Sequence, residues 1–221
     1  MRRIFLIAAT IGFVLALAVL AGCGTKKTTG DGSGGRPESV TAFEASQYTK
    51  PIAGKWQGDS WVIMMRSGDP DGVSREGKSK IWETYYFSPK PEEDSQEMII
   101  YNRGNIWPMA PGQCKGGDKG RDIYKKDKPQ DFRVDSGEAY TVAQRNGGGD
   151  FLDQHKDAEV EAVIRCKADY DAVGQDMPAP KYKWIWTISY RTPGLNGDVL
   201  DVSVDAMNGD YITKELKKAS Q

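Results

Sequence analysis

Histidine is nearly absent from this chain of 221 residues, which holds one, His155. A single imidazole leaves no material for histidine-based metal centres or for most general-base schemes. It stands on the polar stretch Asp150-Phe151-Leu152-Asp153-Gln154-His155-Lys156 and reads as a solvated side chain. Cysteine is scarce as well, with three in all, and without neighbouring histidines these do not form a metal site. An excess of one charge is also missing. Thirty basic residues stand against 31 acidic ones, which is no footprint for nucleic acid or an anionic lipid surface.

Only one long apolar run is present, residues 4–20, broken by Thr10 and Gly12 and preceded by Met1-Arg2-Arg3. Such a run suits a secretion signal or a thin membrane span. It ends in Leu20-Ala21-Gly22-Cys23, which resembles the lipobox of bacterial lipoproteins. That resemblance implies removal of residues 1–22 as a signal peptide and a lipid on Cys23, the new N-terminus. The chain would then be anchored outside the cytoplasm, on the cytoplasmic membrane or the outer membrane. A retained span places the rest of the chain outside too. Residues 23–40 are rich in Gly, Thr, Ser and Lys and read as a flexible tether, with a mean reach of roughly 20–25 Å. Removal of residues 1–22 leaves a net charge of about −3.

In an oxidising compartment the two remaining cysteines, Cys114 and Cys166, are either a disulfide or two buried thiols. A bridge across that loop would contribute roughly 4 kcal/mol in the chain-entropy model.

The second half of the chain shows clear alternation. Val160, Ala162, Ile164, Cys166 and Ala168 alternate with Glu159, Glu161, Arg165, Lys167 and Asp169. Residues 181–191 set Tyr182, Trp184, Trp186, Ile188 and Tyr190 on one face, and residues 199–206 set Leu200, Val202 and Val204 against Asp201, Ser203 and Asp205. Three amphipathic strands predict an antiparallel sheet with one wet face. Asp135 with Glu138 has the spacing of a capping box for a helix that carries Ala139, Val142 and Ala143 and stops at Gly147-Gly148-Gly149. The first half repeats the order. Thr41 and Glu44 start a helical segment containing Pro51, Ile52 and Trp56, and strands are expected over 61–66, 81–88 and 97–102. Corresponding features stand about 100 positions apart, which an internal duplication explains. The expected fold class is therefore α+β. It consists of two tandem units, residues 41–130 and 131–221, each a helix on a small antiparallel sheet of about three strands.

Asp135-Ser136-Gly137-Glu138-Ala139, Tyr182-Lys183-Trp184-Ile185-Trp186 and Val204-Asp205-Ala206 with Gly209 together resemble the PepSY domain family, typified by propeptides of secreted metallopeptidases. The likeness covers residues 131–215, with Asn208 where the family often has Thr and Asp210 where it often has Glu. Residues 41–130 look like a degenerate copy that lacks the Val-Asp-Ala ending. The resemblance implies a non-catalytic protein that binds a protein or peptide and modulates a secreted peptidase, with no cofactor. Trp184, Trp186 and Tyr190 are the candidate partner-binding residues, as an exposed aromatic stripe; the competing reading packs them under the helix.

Two further readings stand beside it. A small ligand would bind in the groove between the units. Alternatively, Gly58-Asp59-Ser60 is the nucleophile block of an esterase class, with Ser60 served by His155 and Asp153. That class places the Asp three residues before the His, whereas here it is two. Asp69-Pro70-Asp71-Gly72 and Gly116-Gly117-Asp118-Lys119-Gly120 read as turn and loop, because neither has the full pattern of a calcium or phosphate loop. Asp201 and Asp205 belong to the wet face of a strand that closes in the Asn208-Gly209 turn, without a third clustered carboxylate.

Overall fold

The computed structural model describes residues 35–89, 96–109, 130–169, 181–194 and 197–219. In chain order the elements are α1 (Ala42–Trp56), β1 (Trp61–Ser67), β2 (Ile81–Phe87), β3 (Gln96–Asn102) and β4 (Asn105–Pro108). There follow α2 (Ser136–Ala143), a π-type turn (Gln144–Gly148), α3 (Gly149–Gln154), β5 (Glu159–Asp169), β6 (Lys181–Arg191), β7 (Val199–Asp205) and β8 (Tyr211–Lys217).

Two tandem units with separate sheets are not what forms. The eight strands make one continuous sheet in the order β4-β3-β2-β1-β5-β6-β7-β8, antiparallel at every pairing. The join is β1 against β5, with Met64, Met65 and Arg66 opposite Arg165, Ile164 and Val163. Each half begins its meander with a strand whose outer edge would be bare, and pairing the two satisfies both rows of backbone groups. Ser67 reinforces the seam, its Oγ accepting from the Ala162 amide at 2.9 Å.

Both helices start above this seam. Thr41 caps α1 through the reciprocal box with Glu44. Asp135 caps α2 by accepting from the Ser136 amide, and its Oδ1 also accepts from the Phe43 amide of α1 at 3.0 Å. Ser136 Oγ accepts from the Ala42 amide at 3.0 Å and donates to the Gly77 carbonyl at 2.7 Å. A Cβ at Gly77, whose φ is +71°, would collide with the Gly137 backbone, so glycine is required there. Beneath the junction, Trp82 and Trp186 meet edge to face at 6.4 Å. Their indole N–H groups donate at 2.8 Å to Val40 and Val134, the residues just before the two N-caps. One apolar cluster runs across the seam, from Trp82, Tyr101 and Met65 to Ile164, Trp186, Ile188 and Val202.

The second helix breaks at the glycine triplet as expected, but a further helix follows directly. Gly147 takes φ +120° and the chain resumes as α3. Gly148 lies against the Tyr190 phenol, where a Cβ would clash, so the triplet lets the turn pass close over β6. Two strands were not anticipated. β4 follows a turn in which Arg103 and Gly104 both have positive φ, the geometry of a tight hairpin. β8 pairs with β7 through a bulge at Ser203/Val204 and has no buried residue.

Asp135→Ala is expected to lower stability by about 1–3 kcal/mol, because one carboxylate serves amides of two helices. Thr41→Ala should cost about 1 kcal/mol. Urea unfolding of both variants measures the difference.

Candidate functional site

The helix-bearing face of the sheet consumes the aromatic stripe. Trp184, Trp186 and Tyr190 are all buried, so none presents a ring to a partner. Trp184 packs on Phe132 and donates to the Gln130 carbonyl at 2.6 Å, and Tyr190 Oη accepts from Gln144 Nε2 at 2.9 Å. Of the two readings of that stripe, packing under the helix holds and partner binding by these rings does not. That face is covered by α2 and the turn after it.

Nor do the catalytic candidates converge. Ser60 directly precedes β1 and His155 shortly precedes β5. Because these strands run antiparallel, the two residues lie toward opposite ends of the sheet, roughly 30 Å apart at a strand rise of about 3.3 Å per residue. Asp59 accepts from Ser88 Oγ at 2.9 Å, Asp153 pairs with Lys156 at 2.8 Å, and His155 lies against Phe151. The Ser60 esterase arrangement is therefore not assembled. The expected groove between two separate units has no basis among the described residues, since the halves share one sheet and their helix N-termini touch.

The acidic turns are structural. Asp69 accepts from the Asp71 and Lys80 amides, and Asp71 pairs with Lys80 at 2.7 Å, which holds its carboxyl below the ordinary carboxylate range. Asp205 accepts from the Met207 amide at 2.8 Å, and Asn208 and Asp210 bond each other. Gly209, at φ +81°, closes the turn beside Glu138. Asp201 faces away from the helices and joins Ser189 at 2.6 Å and Lys217 at 3.1 Å. Among the described residues no three His, Cys, Asp or Glu side chains gather as a metal site, and no helix is long and apolar enough to cross a membrane. Cys166 is buried on β5 opposite Trp184, and burial pushes its thiol up to about 12. Cys23, the run at residues 4–20, Cys114 and the Gly116–Gly120 loop lie outside the described residues.

What remains available is an edge. β4 is four residues long and ends in Pro108, which blunts strand addition. β8 is seven residues long, contains no proline and is exposed throughout. Tyr211, Ile212 and Leu216 on it are 42%, 46% and 50% exposed. Its far end is pinned, with Lys218 on Asp198 at 2.9 Å and the Ala219 amide on the same carboxylate at 2.8 Å. Among the described residues the strand thus holds an extended backbone with one side unpaired, a geometry that can take another strand. No strand is expected from the sequence beyond the Asn208-Gly209 turn. That turn, followed by the strand-favouring Tyr211-Ile212-Thr213, was the hairpin signal for β8.

No protein-family model and no curated protein matches the chain. Among solved structures, a protein of Clostridium difficile 630 described as a candidate lipoprotein matches with a TM-score of 0.45 at 11% identity, over 84% of this chain and 97% of its own. A likeness of that size establishes neither family nor function.

One buried acid stands apart. Glu97 on β3 faces Tyr86 on β2, under α1, and is 6% exposed. Its Oε2 has no hydrogen-bond partner, nor does the buried Oγ1 of Thr84 nearby, while Tyr86 Oη bonds Thr49 of α1 at 2.9 Å. Burial raises the carboxyl from 4.5 to about 7. The folded chain therefore keeps this proton where the unfolded chain has lost it. The resulting stability is complete below the ordinary glutamate range and declines as pH rises to about 7. Glu97→Gln should remove that slope and be more stable than the parent at pH 8, by roughly 1–3 kcal/mol, while matching it near pH 4. Denaturant midpoints across that interval are the measurement.

Proposed function

We propose that the protein is a lipid-anchored, extracytoplasmic binding protein without a catalytic role, which takes up an extended segment of another protein or a peptide along β8. The observation that carries this reading is the contrast between the two sheet edges: β8 is long, exposed and apolar in part, whereas β4 is short and ends in proline. The lipobox-like Leu20-Ala21-Gly22-Cys23 supports anchoring through Cys23, and the tether keeps the fold close to the membrane. A PepSY-like residue pattern over residues 131–215 supports a secreted peptidase as the partner, restrained by binding. Trp184, Trp186 and Tyr190 have no part in the contact, because they are core.

The anchor and the edge have separate tests. Cys23→Ser should abolish acylation seen by mass spectrometry and release the protein from the membrane fraction. Retention of an unacylated parent through residues 4–20 would instead establish a membrane span. For the edge, a photo-crosslinking residue at Thr213, compared with one at Lys50 on α1, should give a protein adduct in intact envelopes only from Thr213. Equal adducts from both positions, or none, would reject β8 as the docking strand. The peptidase reading requires that the adduct contain a peptidase and that the purified protein slow its hydrolysis.

A further inference from the structure

We propose that the outer corner of the sheet, Trp107 of β4 with Ile100 and Met98 of β3, rests in the headgroup layer of the membrane that carries the Cys23 lipid. This inference rests on the anchoring reading above and adds the orientation of the fold to it. The chain arriving from Cys23 joins the fold at the hairpin between β3 and β4. Arg36 Nη1 donates to the Gly104 carbonyl at 3.4 Å, and Tyr101 Oη donates to the Pro37 carbonyl. Gly104, at φ +81°, permits this approach, since a Cβ there would stand 3.0 Å from the Arg36 carbonyl oxygen. Thirteen positions separate Cys23 from Arg36, a mean reach of roughly 20 Å for a chain of this composition. The β8 edge lies seven strand spacings from β4, roughly 33 Å. The tether therefore keeps the β4 corner close to the bilayer and leaves β8 free to stand away from it.

The corner has the chemistry for that place. Trp107 is 51% exposed. A lone exposed ring is ordinary on a surface that faces water, but this one has apolar company. It stands opposite Ile100, and half-exposed Ile100 and Met98 share its face, because the alternate residues Ile99 and Tyr101 are buried beneath the helices. Indole combines an apolar body with one N–H donor, which suits the boundary between acyl chains and headgroups. Arg103 is exposed in the adjoining turn, where a guanidinium meets headgroup phosphates.

Farther along the same face the side chains are polar and paired: Arg66 with Glu83, Arg191 with Glu161, and Ser189 with Asp201. Contact is thus confined to the corner. So small an apolar area orients the protein and does not hold it without the lipid.

Full-length protein in phosphatidylcholine vesicles, with or without brominated acyl chains, tests this by tryptophan emission. Bromolipid should lower the emission of the parent, and Trp107→Phe should abolish that loss with circular dichroism and vesicle binding unchanged. Tyr211→Trp, which sets an indole on β8, should add no quenching. No loss in the parent, an equal loss in Trp107→Phe, or added quenching in Tyr211→Trp would overturn the orientation. Mass spectrometry of the same sample reads the anchor separately. An unacylated chain held through residues 4–20 would overturn the lipid on Cys23, and the corner would still be judged by the same emission. In intact envelopes a photo-crosslinking residue in place of Trp107 should give lipid adducts; protein adducts instead would overturn the proposal in favour of a protein partner.

Discussion

The meeting of two helix N-termini over the β1 and β5 seam is the constraint on which the rest of this structure depends. Helix N-termini carry partial positive charge and unsatisfied amides, so abutting two of them is unfavourable unless something between them accepts. Asp135 and Ser136 do so, taking the first amides of α1 while Asp135 caps α2. The seam itself is short, three residue pairs, and has little capacity to hold the halves together alone. The junction above it and the Trp82 and Trp186 pair beneath it convert that brief pairing into a shared core. Because both indole N–H groups bond the residue ahead of a helix, sheet and helices are placed by the same contacts.

That arrangement determines what is left for binding. Both helices lie on one face of the sheet, and most of the largest aromatic side chains are spent beneath them. The opposite face carries paired polar groups such as Arg66 with Glu83, and Ser189 with Asp201. A partner therefore finds no deep aromatic pocket among these residues, and the open backbone of β8 becomes the accessible feature.

Much of the fold was legible along the chain, because alternation reports a local fact. The strands around Trp82, Ile164, Trp186 and Val202 and the outward placement of Asp201 and Asp205 follow from which side of a pleat is apolar, and the Thr41 cap from its spacing to Glu44. Pairing between β1 and β5 joins residues about 100 positions apart, and no local pattern encodes it, so two sheets were expected where one forms. Alternation shows that Trp184, Trp186 and Tyr190 share a face, and the helix expected ahead of Gly147 is the cover that the structure places on it. β8, the candidate site, was missed because alternation is diagnostic when one face is buried, and neither face of this strand is. Ser60 and His155 looked like partners only while their separation along the sheet was unknown.

The contrast between the two edges also sets stoichiometry. Sheets polymerise when each molecule offers one bare edge to the next and keeps another for the one after; a fibre needs two. Here the proline-ended, four-residue β4 withdraws one of them. With β4 so blunted, a copy of this chain keeps one edge suited to pairing rather than the two that a fibre of copies needs, so β8 can stand exposed without the molecules stitching themselves into filaments.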